Sequence, residues 1–558
     1  MADGRFIFFW SFLGVWLISR FPYGQAAEVP IGVELAPLQH LVINNGEEIA
    51  TLDPHQLYGV TAKNVMRNLF EGLVNLDSCG QVAPGVAERW QQSADGKTWT
   101  FYLRPNARWS NGDPLTADDF IYSWRRLAAP STRSPYSHYL IDLGLVNGAA
   151  VIAGQQPPKT LGVRAIDQQT LQLQCERIVP YCLKLLTVVA FYPVHAATVE
   201  QYGNGVDDHR WYAVSHFVGN GAYQLQGWVV NEKLRLMRNP HYWDNAHTVI
   251  DSATFLPIFD EVVDVRRYQA GEIDITHFRL PLIHFQKLQQ QYPDELHYFP
   301  LSAVYAYQFN GRCQRFQDRR VRQALSMAVN RQQLVQQLIG QGERVAYTLT
   351  PPDINGWITT PPWVDWPEAR RYQHARQLLK AAGYHADNPL QFTLLYSTSE
   401  LHEQIAVALA EQWKQHLTGA VKVNFICEEW KVFLHSRLSG QYHMARNGRI
   451  ADYDDPSCML HKLRSQHIEN DCFYQSTRFD DWLDRASAAI EEHQRQYCYQ
   501  QAELQLAIDV PLIPLFHPVA HRLVKPYVGG LSERNPLGIF YIKDLYLIKH
   551  PTVPSGYR

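Results

Sequence analysis

After residue 26 the sequence lacks any apolar run that approaches the roughly 20 residues of a membrane-spanning helix. The one long apolar stretch, Phe6–Ile18, follows Arg5 and precedes the small residues Gly24-Gln25-Ala26. It is too short for a bilayer span but suits the core of a secretory signal peptide. We therefore predict a signal peptide over residues 1–26 and an exported mature chain without a membrane span.

The sequence also lacks an excess of charge of either sign. Its 51 lysine and arginine residues face 54 aspartate and glutamate residues, so the net charge is only −3. Binding to nucleic acid or to an anionic membrane surface usually requires a clear basic excess. We therefore predict no nucleic-acid partner.

Cysteine motifs are missing as well. The eight cysteines show no C-x-x-C or zinc-type spacing, and none lies near the predicted cleavage site, so a lipoprotein is not expected. In an oxidising compartment some of them are expected to pair, but spacing alone leaves the pairing open. The eight are Cys79, Cys175, Cys182, Cys313, Cys427, Cys458, Cys472 and Cys498.

Hydrolase and metal-site motifs are absent too. There is no G-x-S-x-G elbow, and His402-Glu403 does not continue into H-E-x-x-H because position 406 is alanine. Among 23 histidines, His461 and His467 lack a convincing set of further metal ligands. We predict no enzyme, no cofactor and no metal site. An exported peptidase-like hydrolase, a metal-ion carrier and a chaperone-like protein stay as alternatives.

What is present is a mixture of alternating and helical apolar patterns, which predicts a mixed α/β fold. Val163–Asp167, Thr170–Gln174 and Lys233–Met237 are predicted strands. Asp318 is predicted to cap a helix. About 530 mature residues are enough for two or three domains.

One stretch, Arg446–Pro456, has features of a ligand-binding edge. Gly448 lies four residues before Asp452, and an acidic turn that ends at Pro456 follows. Such a segment can run extended beside a peptide and bind it as an added strand. A single enclosed aspartate would suit a peptide α-ammonium, because a buried charge requires a partner. The simpler interpretation is an acidic surface turn.

A second stretch carries a family signature. Trp99–Arg104 is a predicted strand, and Trp109–Phe120 contains an Asn-Gly-Asp-Pro turn followed by Thr116, a predicted helix cap. This pattern resembles the extracytoplasmic peptide-binding proteins that serve ATP-driven importers, above all their oligopeptide-binding members and next their murein-tripeptide-binding members. The resemblance extends from about Glu28 to His550. Further landmarks are Leu52-Asp53-Pro54-His55, Leu69–Leu73, Asn220–Tyr223, Val229–Glu232, Gly271–Asp274, Leu395–Ser399, Glu429-Trp430-Lys431 and Arg522–Pro526.

The resemblance implies a three-lobed periplasmic binding protein, a monomer that encloses short peptides by closing a two-crossing hinge and delivers them to inner-membrane ABC permease subunits. The implied division is a signal peptide (1–26), a discontinuous domain I (27–70, 196–302 and 520–550), domain II (71–195), domain III (303–519) and a C-terminal tail (551–558).

The resemblance also implies site residues. Asp452 matches the acceptor of the peptide α-ammonium. The positions that match peptide-pairing backbone are Val60, Gly448 and Ile450; Tyr136 matches a ligand contact, Trp430 a pocket-lining ring, and Arg446, His402 and Arg437 basic groups suited to peptide carboxylates.

Four departures from the family pattern are visible. Arg449 replaces a tryptophan, Ile450 and Ala303 replace two cysteines that pair in the family, Ile339 replaces a lysine, and Tyr58 replaces an acid. Arg449 is expected to border a ligand pocket and to favour acidic peptides, because a guanidinium suits carboxylates. Its alternatives are exposure to solvent or pairing with Asp454 or Asp455.

Overall fold

A computed structural model describes residues 27–57, 59–203, 209–355 and 359–550. The predicted signal peptide, Tyr58 and the predicted tail lie outside the described residues. The strands are β1 His40–Asn44, β2 Val74–Leu76, β3 Val82–Pro84, β4 Ala87–Gln92, β5 Thr98–Leu103, β6 Val163–Asp167, β7 Thr170–Gln174, β8 Tyr223–Val229, β9 Lys233–Arg238, β10 Ser252–Leu256, β11 Leu296–Pro300, β12 Ala303–Phe309, β13 Arg344–Val345, β14 Leu390–Ser397, β15 Val421–Glu428, β16 Met444–Ile450, β17 Leu512–His517, β18 Val519–Leu523, β19 Val528–Gly529 and β20 Tyr546–Leu547.

The α-helices are interspersed with these strands throughout the chain. They are α1 Gly59–Leu69, α2 Ala117–Ala128, α3 His138–Asp142, α4 Gly148–Ile152, α5 Cys182–Leu185, α6 Ala196–Tyr202, α7 Glu261–Gln269, α8 Phe285–Gln291, α9 Arg319–Met327, α10 Arg331–Gln333, α11 Pro352–Asn355, α12 Glu368–Ala381, α13 Glu400–His416, α14 Trp430–Leu438, α15 Ser457–Leu460, α16 Thr477–Ala488 and α17 Glu492–Asp509. A π-helical turn, Leu334–Ile339, continues α10. No helix among the described residues is both long and apolar enough to cross a bilayer.

Short 3₁₀ turns complete the helical inventory. They are Pro130–Thr132, Pro158–Thr160, Val189–Phe191, Arg210–Tyr212, Asn245–His247, Leu282–His284, Gln314–Phe316, Pro362–Asp365, His461–Leu463 and Ile542–Asp544.

Three larger sheets organise the molecule and confirm the predicted mixed α/β class. One four-stranded sheet has the order β1-β10-β9-β8, and another has the order β4-β5-β7-β6. The third has six strands in the order β13-β17-β12-β16-β14-β15.

Two neighbouring connections join the six-stranded sheet to the rest of the chain. β11 pairs antiparallel with β18 on one side of the connection, and β12 pairs antiparallel with β17 on the other. The chain therefore crosses twice at the same place, once at residues 301–302 and once at Pro518. The carbonyl of Ala303 lies 2.9 Å from Nδ1 of His517 and ties the two crossings together.

Local predictions from the sequence are confirmed. β6 and β7 have the predicted bounds, and β9 extends only one residue beyond the prediction. Thr116 forms a capping box with Asp119 at the start of α2. The carboxylate of Asp318 accepts the N–H of Arg320 at 2.9 Å and caps α9. These features depend on neighbouring residues, so the sequence pattern is sufficient to locate them.

The disulfide pairing expected for some of the cysteines is not formed: all eight are free thiols in the structure. Several are buried and take part in other contacts. Sγ of Cys458 accepts the N–H of Asp452 at 3.0 Å, and the thiol of Cys472 donates to Oδ1 of Asn470 at 3.3 Å.

The Leu52-Asp53-Pro54-His55 landmark has a structural role. Asp53 is buried, and its carboxylate oxygens accept two hydrogen bonds from the Arg126 guanidinium of α2, at 2.5 and 3.0 Å. Burial alone would raise the pKa of Asp53, but Arg126 and the neighbouring His55 hold it below its usual value. This ion pair anchors the segment before α1 to α2.

We expect Arg126→Met to destabilise the fold by about 3–5 kcal/mol, because it leaves a buried carboxylate without its cation. Urea unfolding measures this loss. In the double variant Arg126→Met/Asp53→Asn most of the stability should return, since the uncompensated charge is gone. A single variant as stable as the native protein would contradict this interpretation.

Candidate functional site

Strand β16 has one paired edge and one largely open edge. Along its inner edge it pairs with β12 from Met444 to Ile450, whereas β14 covers its outer edge only at Met444 and Ala445. The N–H of Ala451 donates to the carbonyl of Ser302 at 2.8 Å, on the side of β12.

Alternate residues of a strand direct their backbone groups to opposite edges. The backbone N–H and C=O groups of Gly448 and Ile450 therefore face the outer edge of β16. Among the described residues no strand pairs with that edge beyond Ala445. Such an edge can accept an extended peptide as an additional strand.

The carboxylate of Asp452, two residues after β16, is buried and fully engaged. Its side chain is 10% exposed. Oδ1 accepts from the ammonium of Lys63, and Oδ2 accepts from the hydroxyl of Tyr139 and, at 3.1 Å, from the ammonium of Lys462. Three donors thus meet on a single acid.

These donors come from distant parts of the chain. Lys63 lies in α1, Tyr139 in α3 and Lys462 in the 3₁₀ turn after α15. Burial alone would raise the pKa of Asp452, but Lys63 and Lys462 hold it far below the ordinary value of an aspartate. The pKa of Lys63 is raised: burial opposes this shift, but the attraction of Asp452 outweighs it. Acid and lysines are therefore both ionised near neutral pH.

Sequence reasoning proposed Asp452 as a site residue and named neither of the two lysines that contact it. One signal was available for Lys63, which follows the predicted ligand position Val60 by three residues in α1. Residues at that spacing share a helix face. The structure places Val60, half-buried, in the first turn of α1, one turn from the Asp452 contact.

Tyr136 also borders this group. Its ring centroid lies 5.2 Å from the ammonium of Lys63 and 5.9 Å from the ring of Tyr139, against which it stacks. Tyr136 is 8% exposed. The aromatic pair therefore covers one side of the contact between Lys63 and Asp452.

Arg449 is neither exposed nor paired with Asp454 or Asp455, so those alternatives are wrong. Its side chain is 9% exposed, and Nη2 lies 3.5 Å from Oδ1 of Asp471. Nε of Arg437 lies 2.7 Å from the other oxygen of the same acid. Two guanidinium groups thus share one carboxylate, which leaves a positive surplus beside β16.

Arg446 and His402 lie together against the ring of Tyr305. The Arg446 guanidinium lies 5.1 Å from the centroid of the Tyr305 ring, and its Nε is buried without a hydrogen-bond partner. Nδ1 of His402 lies 3.0 Å from the Tyr305 hydroxyl. Burial and the nearby Arg446 hold the pKa of His402 well below its usual value, so this imidazole is neutral. His402 is thus not the basic group that the resemblance implies, and Arg446 and the nearby Arg279 supply the positive charge.

Other predicted positions have simpler surroundings. Trp430 begins α14, is 39% exposed and stacks on Phe433 with ring centroids 5.7 Å apart. Ala303 and Ile450 face each other across β12 and β16, where the two family cysteines would stand. Ile339 is buried in the core of the six-stranded sheet.

The adjacent acids Asp454 and Asp455 have structural partners. Oδ1 of Asp455 accepts from the Ser457 N–H at 2.9 Å and from the Tyr499 hydroxyl at 3.1 Å. Asp454 lies 3.4 Å from the ammonium of Lys184. These contacts do not form an acid–base pair poised for hydrolysis.

One histidine cluster has metal-like spacing. Ligand atoms of His138, Asp142 and His467 lie within 4.8 Å of one another. Nδ1 of His467 accepts the N–H of Glu469 at 3.1 Å, so the proton of its neutral ring is on Nε2. His467 therefore offers no free lone pair in this arrangement, and we interpret the cluster as side-chain packing, with the His138 ring against that of Tyr139.

Comparison with known proteins places this geometry in context. The model of the bacterial extracellular solute-binding proteins, family 5 (middle), matches residues 81–470. The chain is 45% identical over 526 residues to the periplasmic oligopeptide-binding protein OppA of Salmonella typhimurium, covering 94% of this chain and 95% of that protein.

Solved structures agree with the sequence match. Haemophilus influenzae OppA in complex with RPPGFSPFR is 39% identical, with a TM-score of 0.85 over 92% of this chain and 100% of that one. The Escherichia coli murein tripeptide-binding protein MppA, also 39% identical, gives a TM-score of 0.86 over 92% of this chain and 100% of that one. The unliganded open form of MppA gives a lower TM-score of 0.73, over 93% of this chain and 99% of that one.

Proposed function

The chain belongs to family 5 of the bacterial extracellular solute-binding proteins, and from this premise we propose that it captures short peptides along β16 with their amine at Asp452. Its relatives are solute-binding proteins, so the prediction that the chain is not an enzyme is confirmed. The observation that carries the proposal is the open outer edge of β16, which leads to one buried carboxylate.

The lobes would close around this ligand. The proposed division is domain I (27–70, 196–302 and 520–550), domain II (71–195) and domain III (303–519), each built around one of the three larger sheets. The double crossing near Ser302 and Pro518 is the proposed hinge. The lower TM-score to the open form of MppA supports a closed arrangement here, in which Lys63 reaches Asp452.

The distance between the two charged regions suits a short ligand. The Arg446 guanidinium extends toward Gly448, where an added Cβ would lie 3.1 Å from Nη2. Asp452 follows Gly448 by four residues, which reach at most about 13 Å when the chain is extended. An extended peptide of about three or four residues spans that length. Its amine would meet Asp452 and its carboxylate Arg446.

We propose that the protein works in the periplasm and supplies an importer of the inner membrane with peptides. The periplasmic OppA relatives support export of this chain and delivery of bound peptides to inner-membrane ABC permease subunits. A monomer is sufficient for this role, because one chain carries both sides of the cleft.

A mixed library of short peptides tests the proposed function. The purified protein is incubated with the library and desalted, and the retained molecules are identified by mass spectrometry. Intact peptides support a binder. Shortened peptides would indicate a hydrolase, and retained metal alone a metal carrier; either result would overturn the proposal.

The two guanidinium groups on Asp471, those of Arg437 and Arg449, predict that the protein prefers peptides with acidic side chains. Because Arg437 and Arg449 share one acid, a ligand carboxylate that reaches Arg449 gains a charge-assisted hydrogen bond worth about 1.5–3 kcal/mol. We expect Ala-Glu-Ala to bind roughly tenfold or more tightly than Ala-Lys-Ala, as measured by calorimetry.

The variant Arg449→Gln should abolish that preference, whereas Lys184→Gln, which removes a cation beside Asp454, should leave it unchanged. If the acidic peptide gains nothing over the basic one, or if Arg449→Gln keeps the ranking, Arg449 does not select ligands.

A further inference from the structure

The two lysines on Asp452 are not equivalent. Lys462 follows Asp452 by ten residues and divides its ammonium between Asp452, at 3.1 Å, and Glu469, at 3.3 Å. Lys63 reaches across from α1 and makes its ion pair with Asp452. Lys462 would therefore still be paired with Glu469 if Asp452 bound a ligand instead. The contact of Lys63 is the one that a ligand would replace.

The side chain of Lys63 carries the same charged group as the N-terminus of a peptide. Both groups are primary ammonium ions with three N–H donors. Lys63 alone occupies Oδ1 of Asp452, while Tyr139 and Lys462 share Oδ2. Because the Asp452 side chain is only 10% exposed, a further ammonium finds its place on the carboxylate only where Lys63 now lies.

We propose that Lys63 is a built-in occupant of the ammonium position, an inference that rests on the proposed peptide-binding function. A peptide with a free amine must displace Lys63, whose flexible four-carbon stem allows the ammonium to move away. A peptide with a blocked N-terminus leaves Lys63 on Asp452 and requires no exchange. The ligand class therefore includes N-blocked peptides besides free ones.

The proposed exchange predicts that a free amine gains little in the native protein. One ammonium replaces another on the same carboxylate, so the charge of the site stays constant. Without Lys63, a free amine would instead meet a buried carboxylate that lacks its partner on Oδ1, and such a charge strongly favours any cation that can reach it.

Calorimetry with Ala-Glu-Ala and its N-acetylated form tests the inference on the native protein and on Lys63→Met. We expect the native affinities for the two peptides to lie within roughly tenfold of each other, and Lys63→Met to prefer the free amine by roughly a hundredfold or more. The preference should arise mainly from tighter binding of the free peptide. Melting temperatures of the unliganded proteins establish that the variant is folded.

Two further variants sharpen the test. Lys63→Arg retains a cation on Asp452 and should keep the weak discrimination of the native protein. Lys184→Met removes a lysine from the neighbouring Asp454 and should also behave as native. The inference is overturned if the native protein rejects the acetylated peptide and Lys63→Met leaves that ratio unchanged. Binding of neither peptide by any of the proteins would overturn the proposed function itself.

Discussion

Replacing Asp452 by asparagine should weaken binding of a free-amine tripeptide by about 3–5 kcal/mol, or roughly a hundred- to several-thousand-fold. The variant leaves Lys462 and Lys63 in place without their shared carboxylate. An incoming ammonium would then meet two cations without the carboxylate that balances them, since Glu469 remains paired with Lys462. Titration calorimetry with Ala-Glu-Ala measures the loss.

An N-acetylated peptide is the matched ligand control for this variant. It brings no ammonium to the site, so Asp452→Asn should affect it far less and the acetylated form should become the better ligand. Asp454→Asn, which removes a neighbouring acid paired with Lys184, should bind both peptides like the native protein. Unchanged affinity of Asp452→Asn for the free peptide would exclude Asp452 as the amine anchor.

Replacing Gly448 by proline should weaken the binding of every peptide, whether its N-terminus is free or blocked. Proline removes the outward N–H of this residue, and the peptide carbonyl that it would meet loses its donor. A buried unpaired carbonyl costs about 1–3 kcal/mol, or roughly 5- to 150-fold in affinity. The hydrogen bonds between β12 and β16 use the other edge, so the sheet should persist.

Gly448→Ala is the control for this change. It keeps the N–H, and its Cβ would approach only the mobile end of Arg446. We expect the alanine variant to bind within a few-fold of the native protein, whereas the proline variant does not. Equal affinities for both variants would show that peptides do not pair with the outer edge of β16.

The parts of the fold that sequence predicts well are those decided by neighbouring residues. Alternating apolar residues determine β6 and β7, and the caps Thr116 and Asp318 lie next to the helices that they begin. Gly448 and Asp452 were proposed as site residues because of the family resemblance, since the local spacing alone also fits an acidic surface turn.

The surroundings of Asp452 were not predictable in this way. Lys63 and Asp452 are 389 residues apart, and a single lysine on a helix usually lies at the surface. The partner of Arg449 is Asp471, separated by 22 residues and a change of direction. The neutral state of His402 depends on burial beside Arg446. Such features follow from tertiary packing, which no local pattern describes.

A crystal structure of the native protein with Ala-Glu-Ala tests the central claim most directly. We predict an extended peptide paired with Gly448 and Ile450 along β16, its amine at hydrogen-bond distance from Asp452, and Lys63 moved away from that carboxylate. A peptide bound away from β16 would contradict the account, and so would a reversed peptide whose carboxylate meets Lys63 and Lys462.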